Sequence, residues 1–328
     1  MPASTEHTTD DEHTTDTGHT AGGEHTAGRE RPPDTGAAGT AYTAEPPGRT
    51  GRSRPTPFDA WERRAWAGRG RAYADSYAAA CAYPAEPLLD AVGAGRGTRL
   101  LDAGCGPGVV AALAAGRGAR VTAVDAEPSM LALAARRVPG AGVLAALLPH
   151  LPFPDGAFDV AAGNFVINHV GRPVATVAEL RRVTRPGGRV ALTIWPQPPS
   201  GMQQFWLDVM AAAGLRAPAG LPTVAEEENF DRTRAGFAGL LRAGGLTAVT
   251  CRRLDWELRV DPERWWHGPL HGLGALGRIL PRLDPVAQAE VRRHYDRLID
   301  RRRTPDGLIA LPTGALLATG AVPTVLSD

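Results

Sequence analysis

The sequence predicts an α/β protein built on a doubly wound, largely parallel sheet, with helical additions before the sheet and a cap late in the chain. Three observations predict it. Short apolar runs alternate with helical patterns from Arg99 to Trp195, a glycine-rich turn at Gly104, Gly106 and Gly108 closes the first run, and an acid, Asp125, ends the second. Strict strand and helix alternation argues parallel strands, because a parallel crossover needs a helix to return the chain. Ligands of such sheets collect at the carboxyl ends of the strands.

The elements follow in order. From Met1 to Pro57 there is no Val, Ile, Leu, Phe or Trp, so this stretch cannot offset its ordering entropy and is expected to be a disordered, low-complexity tail. His7, His13, His19 and His25 recur regularly within it. A flexible Thr/Gly/Asp tract supplies neither fixed geometry nor supporting hydrogen bonds for a metal, so a solvated tail is the expectation and no metal site is assigned. Trp61 to Tyr83 reads as one or two amphipathic helices and Glu86 to Val92 as another. Strands are expected at 99–102, 120–125, 142–146, 158–164 and 189–195, with helices at 109–117, 128–137 and 174–184. Pro128 suits a first helical turn. Residues 203–214, 234–242 and 285–302 look helical, 247–260 and 308–319 strand-like, and Asp261 with Pro262 marks a helix start. Two late strands after a helical insertion suggest a cap over the sheet edge. The expected division is a tail at 1–57 and one domain at 58–328, with cap insertions at about 196–233 and 261–306.

Composition excludes several chemistries. The 36 basic residues are all arginine, which removes Schiff-base catalysis and the phosphate-binding lysine of a Walker A loop. A formal net charge of +1 gives no whole-chain argument for nucleic acid or an anionic membrane. Cys81, Cys105 and Cys251 are odd in number and widely spaced, which fits a reducing compartment. Without an apolar leader or a long apolar run, a soluble cytoplasmic protein is expected.

The segment RLLDAGCGPG at 99–108 carries most of the functional signal. Glycine is needed where backbone passes against a ligand, and the helix that follows offers free N–H groups to an anion. A nucleotide-like ligand is therefore expected, with Asp125 placed to accept hydrogen bonds from two ribose hydroxyls. The dinucleotide fingerprint requires glycine where this chain has Val109, which weakens a nicotinamide oxidoreductase reading.

LDAGCGPG at 101–108, VDAEPSML at 124–131, LPFPDGAFD at 151–159, NFVINHV at 164–170 and RRVTRPGG at 181–188 together resemble class I S-adenosylmethionine-dependent methyltransferases of the small-molecule type. The resemblance spans about Trp66 to Val322. It implies a seven-stranded Rossmann-like sheet of order 3-2-1-4-5-7-6 with the last strand antiparallel, S-adenosyl-L-methionine as cofactor and a small-molecule methyl acceptor. It further implies that Asp102 orients the cofactor ammonium through water, that Gly104 and Gly106, with Cys105 between them, pass along its carboxypropyl chain, and that Asp125 holds the ribose. Met130 and the Leu148 N–H would meet the adenosine, Asn164 and Phe165 would border the methionine moiety, and Tyr73 would reach the carboxylate. One position departs from the pattern: Leu147 stands where the family carries an acid toward the adenine amino group. This departure lends weight to a rival in which the fold binds cofactor without turnover.

Methyl transfer mainly requires alignment and exclusion of water, and a hydroxyl acceptor adds the need for a base. His169, following the fourth strand, is the candidate base, with a backbone-bonding role as the alternative. O-methylation is slightly preferred. Trp265 and Trp266 could line a cap pocket for an aromatic acceptor, although packing is the commoner reason for two large apolar residues.

Overall fold

The computed structural model describes residues 54–324, so the tail and its histidine repeat lie outside the described residues. The chain enters the fold earlier than the boundary at 57 supposes. Thr56 caps the first helix, α1 (Pro57–Trp66), in a reciprocal box with Asp59, and Pro57 occupies the first turn. The expected one or two helices before the sheet are three: α1, α2 (Gly70–Asp75) and α3 (Ala78–Ala82), followed by α4 (Ala85–Val92).

The central sheet has seven strands in the order β3-β2-β1-β4-β5-β7-β6. These are β1 (Arg99–Ala103), β2 (Arg120–Asp125), β3 (Gly142–Ala145), β4 (Phe158–Asn164), β5 (Thr184–Ile194), β6 (Thr247–Val260) and β7 (Ile309–Ala321). The first five pair in parallel, and β7 runs antiparallel to both β5 and β6. The late strands therefore complete the sheet instead of forming a cap over its edge. They do so because β7 pairs with β5 from Arg189 to Ile194 and with β6 along nearly its whole length.

Two cores cover the two faces. On one, Val177 and Leu180 of α7 (Pro173–Val183) and Phe237, Leu240 and Leu241 of α9 (Arg234–Ala243) pack on Val190, Leu192 and Leu316. On the other, Leu88 and Leu89 of α4 and the alanines of α5 (Val109–Gly116) pack on Leu100, Ala123 and Ala162. Small side chains on α5 let it lie close to a sheet whose inner strands are buried on both faces, the burial expected of a parallel sheet. α6 (Pro128–Arg137) closes that side through Ala134.

A third cluster sits beyond the sheet edge. Phe205 and Trp206 of α8 (Gly201–Ala212), Trp265 of α10 (Pro262–Leu270), Leu276 of α11 (Gly274–Gly277) and Tyr295 of α12 (Pro285–Asp300) pack on the outer halves of β6 and β7. Trp265 and Trp266 are both buried there. They build this core and do not line the cavity described below. Among the described residues no helix is long and apolar enough to cross a membrane.

Candidate active site

A cavity of about 690 Å³ opens at the carboxyl ends of β1, β2 and β4. That is where the strand order reverses between β1 and β4, the position at which sheets of this kind hold ligands, and the volume falls within the usual range for small-molecule sites.

The glycine turn forms one wall. Gly104 and Gly106 have φ of +69° and +53°, backbone that only glycine adopts without strain, but they face different neighbours. A Cβ on Gly104 would fall 2.3 Å from Val166 Cγ2, so its smallness is required by packing against the segment after β4. A Cβ on Gly106 would meet nothing nearer than the Tyr73 ring at 3.9 Å, so this residue leaves open space for a ligand. The Asp125 carboxylate accepts the Gly106 N–H at 2.8 Å and the Glu127 N–H at 2.9 Å. Burial raises its pKa against the pull of these amides, and each oxygen retains a lone pair for a hydroxyl.

Two of the expected site residues are behind this wall. Asp102 is fully buried, is not part of the lining, and has no hydrogen bond to either carboxylate oxygen. Burial pushes its pKa up to about 7, opposed by the Ala111 amide in the first turn of α5 and reinforced by the charge of Asp125. Cys105 is likewise buried and off the lining, with Sγ 3.5 Å from the Gly106 carbonyl.

The end of β4 carries a tight network. Asn164 Nδ2 donates to the Cys81 carbonyl at 2.8 Å, Asn164 Oδ1 accepts the Thr193 hydroxyl at 2.6 Å, and the Phe165 N–H donates to Thr193 Oγ1 at 2.9 Å. These bonds hold Phe165 at φ 62°, a left-handed backbone that is uncommon for a bulky residue. Its ring stacks on Trp195 at 3.9 Å, and both rings line the cavity. Tyr73 also lines it and meets Trp66 edge-on at 5.5 Å.

His169 ends a short 3₁₀ turn, Val166–His169, and lines the cavity. Its Nδ1 is 2.8 Å from Glu62 Oε2, and the Trp66 indole N–H donates to the same oxygen at 3.0 Å. Trp66 Nε1 is farther, 3.3 Å, from His169 Nδ1. The shorter contact assigns the indole proton to Glu62, so the imidazole donates through Nδ1 and leaves Nε2 as its basic nitrogen. Burial pushes the Glu62 carboxyl up, but the His169 and Trp66 hydrogen bonds prevail and keep it below the usual carboxylate range. Asp59 fastens α1 to the same region by accepting the Gly171 N–H at 2.6 Å.

Met130, Leu147 and Leu148 line the remaining side. Their loop is anchored to α7: the Leu151 N–H donates to Glu179 at 2.8 Å, and Arg182 donates to the carbonyls of Leu151 and Phe153. His267 and His271 lie against each other, ring centroids 3.9 Å apart and tilted by 35°, outside the cavity lining. Nothing in the sequence singles out Glu62, Trp66, Trp195 or Thr193. A glutamate on α1, three helices ahead of the sheet, gives no local sign of meeting a histidine 107 positions later.

Comparison with known proteins follows the same residues. Residues 101–192 match a family described as a methyltransferase domain. The chain is 33% identical over 174 residues to demethylmenaquinone methyltransferase of Beutenbergia cavernae, covering 51% of this chain and 72% of that one. It is 38% identical over 118 residues to malonyl-[acyl-carrier protein] O-methyltransferase of Serratia marcescens, covering 35% of this chain and 46% of that relative. Among solved structures, the YcgJ protein from Bacillus subtilis aligns over 74% of this chain and 99% of its own, with a TM-score of 0.47 and 19% identity.

Proposed function

The chain belongs to the class I S-adenosylmethionine-dependent methyltransferases, and from that membership we propose that it methylates an oxygen of a hydroxylated small molecule with His169 as general base. The observation that carries this reading is the Glu62–His169 pair on the wall of the cavity that also holds Gly106 and Asp125. The relative from Serratia marcescens is by name an O-methyltransferase, which agrees with transfer to oxygen.

S-adenosylmethionine supplies an electrophilic methyl group on a sulfonium, and the chain supplies the rest. Open space at Gly106 and the free lone pairs of Asp125 fit the amino-acid and ribose portions. Met130, Leu147 and Leu148 offer apolar packing for adenine, and the Leu148 N–H, unbonded among the described residues, offers a donor in place of the missing acid at 147. Asn164 acts by holding Phe165, which with Trp195 and Tyr73 walls off the reacting end from water. Asp102 acts indirectly, by placing negative charge under the turn and the first turn of α5. His169 Nε2 would take the acceptor's hydroxyl proton, and Glu62 would stabilise the imidazolium that results.

Methyl transfer from radiolabelled S-adenosylmethionine to a panel of phenols, carboxylic acids and amines tests the reading. It expects an O-methylated product whose formation falls by roughly a hundredfold in His169→Ala, with affinity for S-adenosylhomocysteine kept. Transfer confined to nitrogen or carbon acceptors, or an undiminished rate in His169→Ala, would overturn it.

A further inference from the structure

Part of the cavity lining is rich in arginine, and these side chains are not tied up in ion pairs among the described residues. Arg63 and Arg64 on α1, Arg69 just beyond it, and Arg278 and Arg282 just after α11 all line the cavity. None of the five forms an ion pair among the described residues. Elsewhere the chain does pair its arginines, as Arg99, Arg182 and Arg292 show.

The acids on the same lining are already engaged. Asp59 accepts from Thr56 and Gly171, Glu62 from Trp66 and His169, Asp125 from Gly106 and Glu127, and Glu127 from Ser129 and Gly68. Arg278 is held in place without a carboxylate, its guanidinium 4.4 Å over the ring of Trp61. Arg69 spends one N–H on the His271 carbonyl at 3.1 Å and keeps the others. Arg278 also lies close enough to Glu62 for its charge to act on that carboxylate, which places it beside the Glu62–His169 pair.

Guanidinium groups on a cavity wall that form no ion pair among the described residues match a planar or tetrahedral oxyanion, which they bind through paired N–H donors. We propose that the methyl acceptor carries an anionic group, a carboxylate or a phosphate, that docks on Arg278 and Arg282 with Arg63 and Arg64 beside them, and so presents its hydroxyl to His169. The proposal rests on the methyl-transfer reading above and adds the charge class of the acceptor. The arginines raise the local concentration of such a molecule and fix its orientation, and a neutral analogue of the same shape gains neither effect.

The test uses the full chain saturated with S-adenosylhomocysteine and titrated with para-hydroxybenzoate, para-hydroxyphenyl phosphate and the neutral para-hydroxybenzamide. At least one anionic probe is expected to bind roughly tenfold tighter than the amide, and the tighter of the two identifies carboxylate or phosphate as the group recognised. That preference is expected to vanish in R278Q/R282Q and to persist in R136Q/R137Q, whose arginines lie off the cavity. Equal binding of anions and amide by the unaltered chain, no binding of either anion, or a preference unchanged in R278Q/R282Q would overturn the proposal. Failure of S-adenosylhomocysteine itself to bind would instead strike the methyl-transfer reading, so the two failures are distinguishable.

Discussion

Replacing Asp102 with Asn isolates the electrostatic strain beneath the glycine turn. In the folded chain its pKa lies at about 7, against an ordinary value of 3.8, chiefly because the carboxyl is buried. The folded state therefore holds this proton more tightly than the unfolded state. Below the ordinary value the group is neutral in both states and there is no penalty. Between the two values stability falls as pH rises, and above about 7 the penalty is complete. At 1.36 kcal/mol per pKa unit the full gap is worth about 4 kcal/mol. Asn carries no charge at any pH, so the stability of Asp102→Asn relative to the unaltered chain should grow by up to about 4 kcal/mol between roughly pH 4 and pH 7, then level off. Urea unfolding of both chains across that range measures it, with other titrating groups cancelling in the difference. A difference that does not change with pH would show that Asp102 is not strained and would refute the reasoning.

Three further outcomes follow from contacts in the site. Asp125→Ala removes the acceptor for both the Gly106 and the Glu127 N–H; it should weaken S-adenosylhomocysteine binding by about 1–3 kcal/mol in calorimetry and also lower the melting temperature, since two amides lose partners. Glu62→Gln should reduce turnover, because the imidazolium formed on proton transfer loses its carboxylate, while cofactor affinity is unchanged; an undiminished rate would separate Glu62 from the chemistry. A chain begun at Arg54 retains the Thr56 cap of α1 and should melt within a degree or so of the full chain, a large drop showing that the preceding segment contributes to the core.

The sheet was legible wherever local pattern and topology coincide. β2, α6, β4 and β6 run over the residues that their periodicity and caps indicate, because an apolar run ending in an acid or a helix opened by proline signals its own boundary. The fate of β6 and β7 was less legible, since their alternation fits an edge hairpin of a cap as well as a sheet strand, and only pairing with β5 decides between them. β5 begins at Thr184, ahead of the apolar run at Arg189, because Thr184 already pairs with Phe158 across an irregular register and the residues between carry no apolar signature.

In the site, Gly106, Asp125, Phe165 and His169 stand on the cavity as their motifs indicate. Asp102, expected to act on the cofactor through water, lies behind the cavity wall, a placement set by the helix packed above its strand. Glu62, the arginines of α1 and those after α11 reach the cavity only through tertiary packing. Their sequence neighbourhoods look like ordinary charged helix faces.

Calorimetric titration of S-adenosylhomocysteine into the unaltered chain and into Gly106→Val tests the central claim most directly. A Cβ branch at Gly106 would project into the open space beside Tyr73. The account predicts saturable one-to-one binding by the unaltered chain and loss of that binding in the variant, with circular dichroism showing both folded. Absence of binding by the unaltered chain, or equal affinity in a folded Gly106→Val, would contradict it.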